Sequence, residues 1–400
     1  MEVFLSLQDP RELPKGTRDP LGFEAIWTDY GRKVVQNLTT ITGSIEEFLT
    51  ALLGFYFAGE NTENQKELEE NFLRFEQVTG YLRGYLNRQA DNSLGGFVRG
   101  SLRVYDRLKK MEKNKDQILI SSSKAQILSN QSAYGLWGLY STALDMSGLI
   151  KVRRVQQDGL NIINEMKISD ELRGFFQRTI YKDEELINFN DLEKFAQEYV
   201  SLLHSEARKK LLEVLLRKSD KTHELFDSLN NYFQNNNLPE KMFSILNELR
   251  ISSPDLLNYE LDAILKIDHA LTAMNWIFDA LRTPERKEVS LNEAMGILIH
   301  DFTPDHIYLP ENENNAYIVN FVEYWNNNDF IGAAKQVLER HRTIMQSRNS
   351  APWVEEENNK IKIRIEMNKK PVYSVSNMSY SYFIDSYIRL MKVYRKESVK

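Results

Sequence analysis

Three residues near the middle of the chain have the types and spacing of a metal-dependent nuclease site. Asp158, Glu165 and Lys167 form an Asp-x6-Glu-x-Lys pattern. In such a site two carboxylates hold a divalent cation, and the lysine stabilises the attacking water or the phosphate. The pattern is short, and Asp158 followed by Gly159 also suits a tight turn for backbone reasons alone. A nuclease is therefore the alternative to a non-enzymatic function.

A second group of candidate metal ligands lies in the segment HDFTPDH, residues 300–306. Its side chains His300, Asp301, Asp305 and His306 would converge on Zn, Mn or Fe if the segment folded back on itself. The same residue types are ordinary in a turn that follows a helix end. We therefore predict no metal site and no cofactor, and we leave a metal at this segment as an open alternative.

The common catalytic motifs are absent from the sequence. There is no Gly-x4-Gly-Lys-Ser/Thr loop, no Gly-x-Gly-x-x-Gly loop and no Gly-x-Ser-x-Gly elbow. The chain has no cysteine, which excludes disulfides, cysteine nucleophiles and Cys-ligated zinc. These observations favour a protein without an enzymatic activity of its own.

Basic residues recur at the spacing of a helix face. In residues 95–115, GGFVRGSLRVYDRLKKMEKNK, four of them lie three or four positions apart, so a helix would place them on one side. A second basic helix is predicted within residues 335–348. Such faces are often only solvated, but they also bind phosphate groups. Nine residues are our candidates for contacts with DNA: Arg99, Arg103, Arg107, Lys110, Lys151, Arg153, Arg154, Arg340 and Arg342.

The residues between the two basic segments predict a winged helix. SSSKAQILSNQSAYGLWGLYSTALDMSGLI is typical of two helices joined by a turn, and GLIKVRRVQQDGLNIIN of strand, turn and strand. Alternation along the first strand places Ile150 and Val152 towards the core and Lys151 and Arg153 outwards. Arg153 and Arg154 are therefore predicted to be exposed and to contact phosphate. Many winged helices bind protein instead, so that alternative stays open.

The rest of the sequence is typical of helices. Ser44 and Glu47 have the spacing of a capping box, and an amphipathic helix is predicted at residues 64–87. Residues 183–299 supply further amphipathic helices, which we expect to carry the main protein–protein contact. The pattern of Ile361, Lys362 and Ile363 predicts a strand near the C-terminus, with a hairpin partner beginning at Trp353. The Asn-rich segment ENENNAY, residues 311–317, has only the composition of a polar loop.

The predicted fold is mainly α. It has four domains: an N-terminal arm and helices with a basic helix at 1–116, a winged-helix-like domain at 117–182, an acidic helical array at 183–300, and a C-terminal basic helix, β-hairpin and closing helix at 301–400. The net charge of −6 argues against a surface that coats nucleic acid as a whole, but it allows a local basic face. No apolar run is long enough for a membrane span and no secretory signal is visible, so we expect a cytoplasmic protein.

Three phrases carry a resemblance: residues 19–57, DPLGFEAIWTDYGRKVVQNLTTITGSIEEFLTALLGFYF, residues 130–150, NQSAYGLWGLYSTALDMSGLI, and residues 351–365, APWVEEENNKIKIRI. With them the chain resembles an uncharacterised family of bacterial proteins from defence or restriction-type operons, over most of its length. The resemblance implies a non-enzymatic adaptor subunit of an anti-phage complex, and it supplies no catalytic residues. The expected partners are double-stranded DNA and other proteins of the operon, such as an ATPase or a nuclease.

Overall fold

The computed structural model describes residues 13–89, 95–114, 117–181, 185–235, 241–299, 304–369 and 371–398. As predicted, this part of the chain is mainly helical, with a few short antiparallel strand pairs. The helices are α1 Glu24–Val34, α2 Ile45–Gly59, α3 Gln65–Gln89, α4 Ser101–Asn114, α5 Gln131–Tyr134, α6 Leu136–Met146, α7 Gln157–Glu165, α8 Asp170–Ile180, α9 Phe189–Leu203, α10 Ala207–Leu216, α11 Asp220–Asn235, α12 Met242–Ser252, α13 Asp255–Leu281, α14 Leu291–Ile299, α15 Ala316–Asn326, α16 Phe330–Ser347 and α17 Ile384–Ser398. The strands are β1 Ile118–Ile120, β2 Ile150–Lys151, β3 Arg154–Val155, β4 Glu185–Ile187, β5 Val354–Glu357 and β6 Lys360–Ile363.

The chain folds into two compact units, and each unit is built from two separate stretches of sequence. Unit 1 contains the described residues of 1–34 and 227–382, and unit 2 those of 35–226 and 383–400. The four predicted domains have boundaries at 116, 182 and 300, where neither unit begins or ends. In unit 2, α17 packs on α10, where the Tyr387 hydroxyl lies 2.6 Å from the carbonyl oxygen of Leu216.

The core of unit 2 forms around α2, which is apolar on nearly all sides and almost wholly buried. Its N-terminus is capped by the Ser44 hydroxyl, which accepts a hydrogen bond from the backbone N–H of Glu47. Helix α3 packs against α2 at Gly54, where a Cβ atom would come within 2.6 Å of the Phe72 ring. Only a glycine allows the two helices to approach this closely. The predicted helix at 64–87 is thus confirmed as α3.

The core of unit 1 forms around α13, a helix of 27 residues that is buried along most of its length. Helices α1, α12, α15 and α16 pack against it. The C-terminal hairpin predicted from the Ile alternation is confirmed, because β5 pairs with β6 and Val354 lies opposite Ile363. Asn358 and Asn359 form its two-residue turn with φ values of 52° and 61°, a conformation that asparagine tolerates better than most residues.

The predicted winged helix is not confirmed. The order of α5, α6 and the β2–β3 hairpin is present, but α5 has only four residues. Strand β1 pairs with β4 and does not join the hairpin. The segment GLNIIN, predicted as the second strand of the wing, lies in helix α7, and that prediction is wrong. Its alternation is too short to distinguish the two-residue period of a strand from the 3.6-residue period of a helix. In the structure Gly159, Ile162, Ile163 and Met166 are buried at helical spacing.

The hairpin that does form is shorter than predicted and turns earlier. Val152 and Arg153 are its two turn residues, with φ values of 48° and 63°. Ile150 is buried and Lys151 exposed, as the alternation predicts, whereas Val152 is 69 % exposed instead of facing the core. A β-branched residue at positive φ is conformationally strained. None of the helices in the described ranges is both long and apolar enough to cross a bilayer.

Candidate functional site

The four predicted DNA contacts at 99–110 divide into internal and exposed groups. Arg107 donates hydrogen bonds to the Tyr81 hydroxyl and to the carbonyl oxygen of Ala125, at 2.7 and 2.6 Å. Arg99, which precedes α4, forms an ion pair with the buried Glu47 carboxylate at 2.8 Å. Arg103 and Lys110 are exposed, and Lys110 pairs with an acid one helical turn earlier. The guanidinium groups of Arg99 and Arg107 therefore hold unit 2 together.

The two arginines of the hairpin are also bound within unit 2. Arg153 is half-buried and donates to the carbonyl oxygen of Trp137 at 2.8 Å, and its guanidinium carbon lies 4.4 Å from the centre of the Trp137 ring. Burial lowers its pKa from the ordinary arginine value. Arg154 donates to the carbonyl oxygen of Gly59 at 3.0 Å. Both side chains point back onto unit 2, and Lys151 is the exposed cation of the hairpin.

The helix that would enter a DNA groove, α6, has no basic residue. Its exposed positions include Gly138, Thr142, Asp145 and Met146. Base edges and phosphates are read mainly by Arg, Lys, Asn and Gln side chains. The outer face of α6 offers none of these and carries an acid.

The basic helix of the C-terminal region, α16, holds the segment that precedes α1. Arg340 donates to the carbonyl oxygens of Leu21 and Gly22, at 2.9 and 3.0 Å. His341 is fully buried between the Pro20 carbonyl oxygen and the backbone N–H of Trp353, and burial lowers its pKa to about 4. Arg342 instead forms an exposed ion pair with Glu339 along the same helix.

The candidate nuclease residues lie along α7 and just after it. Asp158 is in the first turn of the helix and Glu165 is its last residue, so at 1.5 Å per residue they are about 10 Å apart along the axis. Glu165 pairs with Lys210 at 2.5 Å, and Lys167 follows the helix at a φ of 52°. This spacing is too long for two carboxylates that share one cation.

The candidate metal segment is described only in part. His300 and Asp301 lie outside the described residues. The backbone carbonyl oxygen of Asp305 accepts a hydrogen bond from the ring N–H of Trp325, and the His306 ring lies beside the Tyr308 ring. Among the residues that the structure describes, no group of three or more His, Asp or Glu side chains is arranged to hold a metal ion.

A cleft of about 540 Å³ in unit 1 is a candidate ligand site within the described residues. We call it the α1–α13 cleft. It lies between α1, α13 and residues 310–315, and its lining includes the carboxyl side chains Asp29, Glu260 and Glu313, the rings Tyr30 and Tyr259, the ammonium of Lys33 and the amides Asn312, Asn314 and Asn315. The volume falls within the usual range for ligand pockets, about 300–1,000 Å³.

The polar groups of the cleft are held in place by bonds to each other. The buried Tyr30 hydroxyl donates to one carboxylate oxygen of Glu313 at 2.9 Å, and the backbone N–H of Asn315 donates to the other at 2.8 Å. Burial and the hydrogen bond to Glu313 raise the pKa of Tyr30. The Asn312 amide donates to the Tyr259 hydroxyl at 3.4 Å, which connects residues 310–315 to α13.

The sequence did not predict this cleft. Glu313 and Asn315 belong to the segment ENENNAY, whose composition suggests only a polar loop. The one sequence signal in this segment was Asn315 as a helix N-cap: its side chain accepts a hydrogen bond from the Tyr317 N–H and fixes where α15 begins.

No protein-family model, curated protein or solved structure matches the chain.

Proposed function

We propose that this protein is a non-enzymatic helical adaptor of a bacterial anti-phage defence or restriction-type complex, and that unit 1 binds a partner protein of the operon, such as an ATPase or a nuclease. One observation carries the proposal: an exposed tyrosine lines the α1–α13 cleft, and further exposed apolar side chains lie on α13 and at the end of α12. Tyr259 lines the cleft and is 48 % exposed, and Leu256, one helical turn earlier on α13, is 50 % exposed. Ile251, in the last turn of α12, is 73 % exposed.

This surface has the composition of a protein-binding site. Exposed apolar and aromatic side chains beside a concave polar surface bury well against another protein, and tyrosine is enriched at such contacts. All three apolar residues lie within 183–299, the segment that we expected to carry the main protein contact. The described arginines, in contrast, are largely occupied by internal bonds, which supports a protein partner as the main one.

The proposal is tested by co-expression with the proteins encoded by neighbouring genes. A partner should co-purify with the wild-type chain, and Leu256→Asp combined with Tyr259→Ala should remove it. Val372→Asp is the matched control, because Val372 is 79 % exposed in unit 1 and does not line the cleft. If no neighbouring protein co-purifies with the wild-type chain, the adaptor function is wrong. If the partner still co-purifies with the double variant, it binds at another surface.

A second proposal, contact with double-stranded DNA, rests on the exposed cations of unit 2. Arg103, Lys109, Lys110 and Lys113 are exposed on α4, and Lys151 is exposed on the hairpin. In this proposal α4 and the β2–β3 hairpin contact the phosphate backbone, and α6 does not enter a groove. Affinity for duplex DNA should fall steeply with salt, and changing Lys109, Lys110 and Lys113 to Gln should lower the salt slope by about two to three charges. No binding at low salt, or an unchanged slope, contradicts it.

A further inference from the structure

The α1–α13 cleft has a negative lining. Asp29 and Glu313 contribute two carboxyl groups, and Lys33 contributes one ammonium group. The buried Glu260 also lines the cleft and interacts with another group of the chain. Asp29 is exposed and Glu313 is half-buried, so both carboxylates are accessible from solvent. A concave surface with walls of lower dielectric concentrates the field of such charges. The cleft therefore attracts a cationic group.

The Tyr30 ring of the cleft is in contact with a cation of the chain itself. The Lys33 ammonium lies 4.5 Å from the centre of the Tyr30 ring. The ring is held in place because its hydroxyl is bonded to Glu313. Aromatic faces attract ammonium and guanidinium groups through the quadrupole of the ring, and arginine uses this contact more often than lysine.

The acceptors in the cleft match a group with many donors. Each Glu313 oxygen uses one lone pair within the chain, for Tyr30 and for Asn315, and each carboxylate oxygen has room for a further donor. The Asn312 and Asn314 side chains add amide oxygens to the lining. A guanidinium has five N–H donors in a planar fork and no acceptor, whereas an ammonium has three. The set of acceptors and rings therefore fits a guanidinium better.

We propose that the α1–α13 cleft receives an arginine side chain of the partner protein. The inference rests on the proposed adaptor function and names the chemistry that its cleft recognises. Leu256 and Tyr259 then pack against the apolar neighbours of that arginine. This apolar edge favours an arginine within a protein segment over a free amine, which has nothing to bury against it. Lys33 lies on the Tyr30 ring within the cleft, so it competes with the arginine for that ring and weakens binding by like-charge repulsion.

The test uses the full chain and capped heptapeptides with the sequence Gly-Leu-Ser-Arg-Ser-Leu-Gly. The citrulline analogue keeps the shape of the arginine and removes its charge. Calorimetric titration should show binding of the arginine peptide and at least about tenfold weaker binding of the citrulline peptide. A lysine peptide should bind with intermediate affinity. Spermidine, the free-amine probe, should bind more weakly than the arginine peptide and should not compete with it at equal concentration.

Variants of the cleft should change the affinity in opposite directions. Glu313→Gln should weaken binding of the arginine peptide about tenfold, and Asp29→Asn, at the exposed edge, about threefold. Lys33→Gln should strengthen it about threefold, because it removes the like charge. Glu293→Gln, an exposed acid of α14 outside the cleft, is the control and should leave the affinity unchanged.

Three results would overturn the inference: equal affinity for the arginine and citrulline peptides, no effect of Glu313→Gln, or weaker binding by Lys33→Gln. These outcomes are separable from a failure of the adaptor function. If a neighbouring protein co-purifies equally well with wild type and Glu313→Gln, the arginine site is wrong and the adaptor function stands. If the peptide result holds while no neighbouring protein co-purifies, the site stands and the adaptor function is wrong.

Discussion

Arg153 should stabilise unit 2, although its place in a basic hairpin suggests an exposed DNA contact. Its hydrogen bond to the Trp137 carbonyl involves a charged donor, and such bonds contribute about 1.5–3 kcal/mol. Its contact with the Trp137 ring adds roughly 0.5–2 kcal/mol. Desolvation of the half-buried guanidinium offsets part of this, as the lowered pKa indicates. We therefore expect Arg153→Met, which keeps an apolar stem on the ring, to lower the free energy of unfolding by about 2 kcal/mol.

The assay is thermal unfolding of the full chain, followed by circular dichroism. For a unit of this size, about 2 kcal/mol corresponds to a decrease in Tm of roughly 4–8 °C. Lys151→Met changes an exposed cation of the same hairpin and should stay within about 0.5 kcal/mol of wild type. Arg153→Lys should fall between the two. If Arg153→Met unfolds at the same temperature as Lys151→Met, the internal role derived for Arg153 is refuted.

Three further predictions concern buried or strained groups. Burial raises the pKa of Glu76 to about 7 from 4.5, so the folded state binds more protons in that pH range. The free energy of unfolding of unit 2 should therefore fall by up to about 3 kcal/mol as pH rises through the range. Glu76→Gln should flatten the profile of Tm against pH, and profiles parallel to wild type would contradict this. Burial lowers the pKa of His341 to about 4 from 6.5, so unit 1 should lose stability as pH falls through that window. His341→Gln should be less stable at neutral pH yet less sensitive to acid, and an unchanged acid dependence in melts counts against the assignment. Val152→Asn should raise the stability of unit 2 by about 1 kcal/mol, because asparagine tolerates positive φ better than a β-branched residue; a decrease in Tm would show that the Val152 side chain makes a contact of its own.

Local patterns in the sequence predicted the elements that are long or have a specific turn. Helix α3 follows from its apolar spacing over more than twenty residues, and the β5–β6 hairpin follows from Ile361 and Ile363 and the two asparagines of the turn. The failure at GLNIIN has the opposite cause. The alternation covers only Leu160, Asn161 and Ile162, which fits a strand as well as a helix, and burial of Ile162 and Ile163 on one side decides for the helix.

The positions of the charged groups could not be predicted from spacing. Arg107 has basic neighbours in the sequence, but its acceptors, Tyr81 and Ala125, are 26 and 18 residues away. Whether a guanidinium meets phosphate or an internal carbonyl depends on such distant contacts. The cleft is an even clearer case, because its lining comes from three stretches near residues 25–33, 259–263 and 310–315. No local pattern connects them.

The division of each unit into two stretches of chain has a consequence for its synthesis. Helix α1 packs on α13, but the ribosome must add about 190 residues of unit 2 before it returns to unit 1. At the usual rates of translation this takes roughly 10–40 s, during which the apolar face of α1 has no partner from its own unit. Unit 2 in turn is incomplete until α17 is synthesised, because the Tyr387 hydroxyl of α17 donates a hydrogen bond to the carbonyl oxygen of Leu216 at the end of α10. A nascent chain that stops before residue 383 therefore lacks α17, and the core of unit 2 is incomplete. Chaperones would encounter the chain in that state.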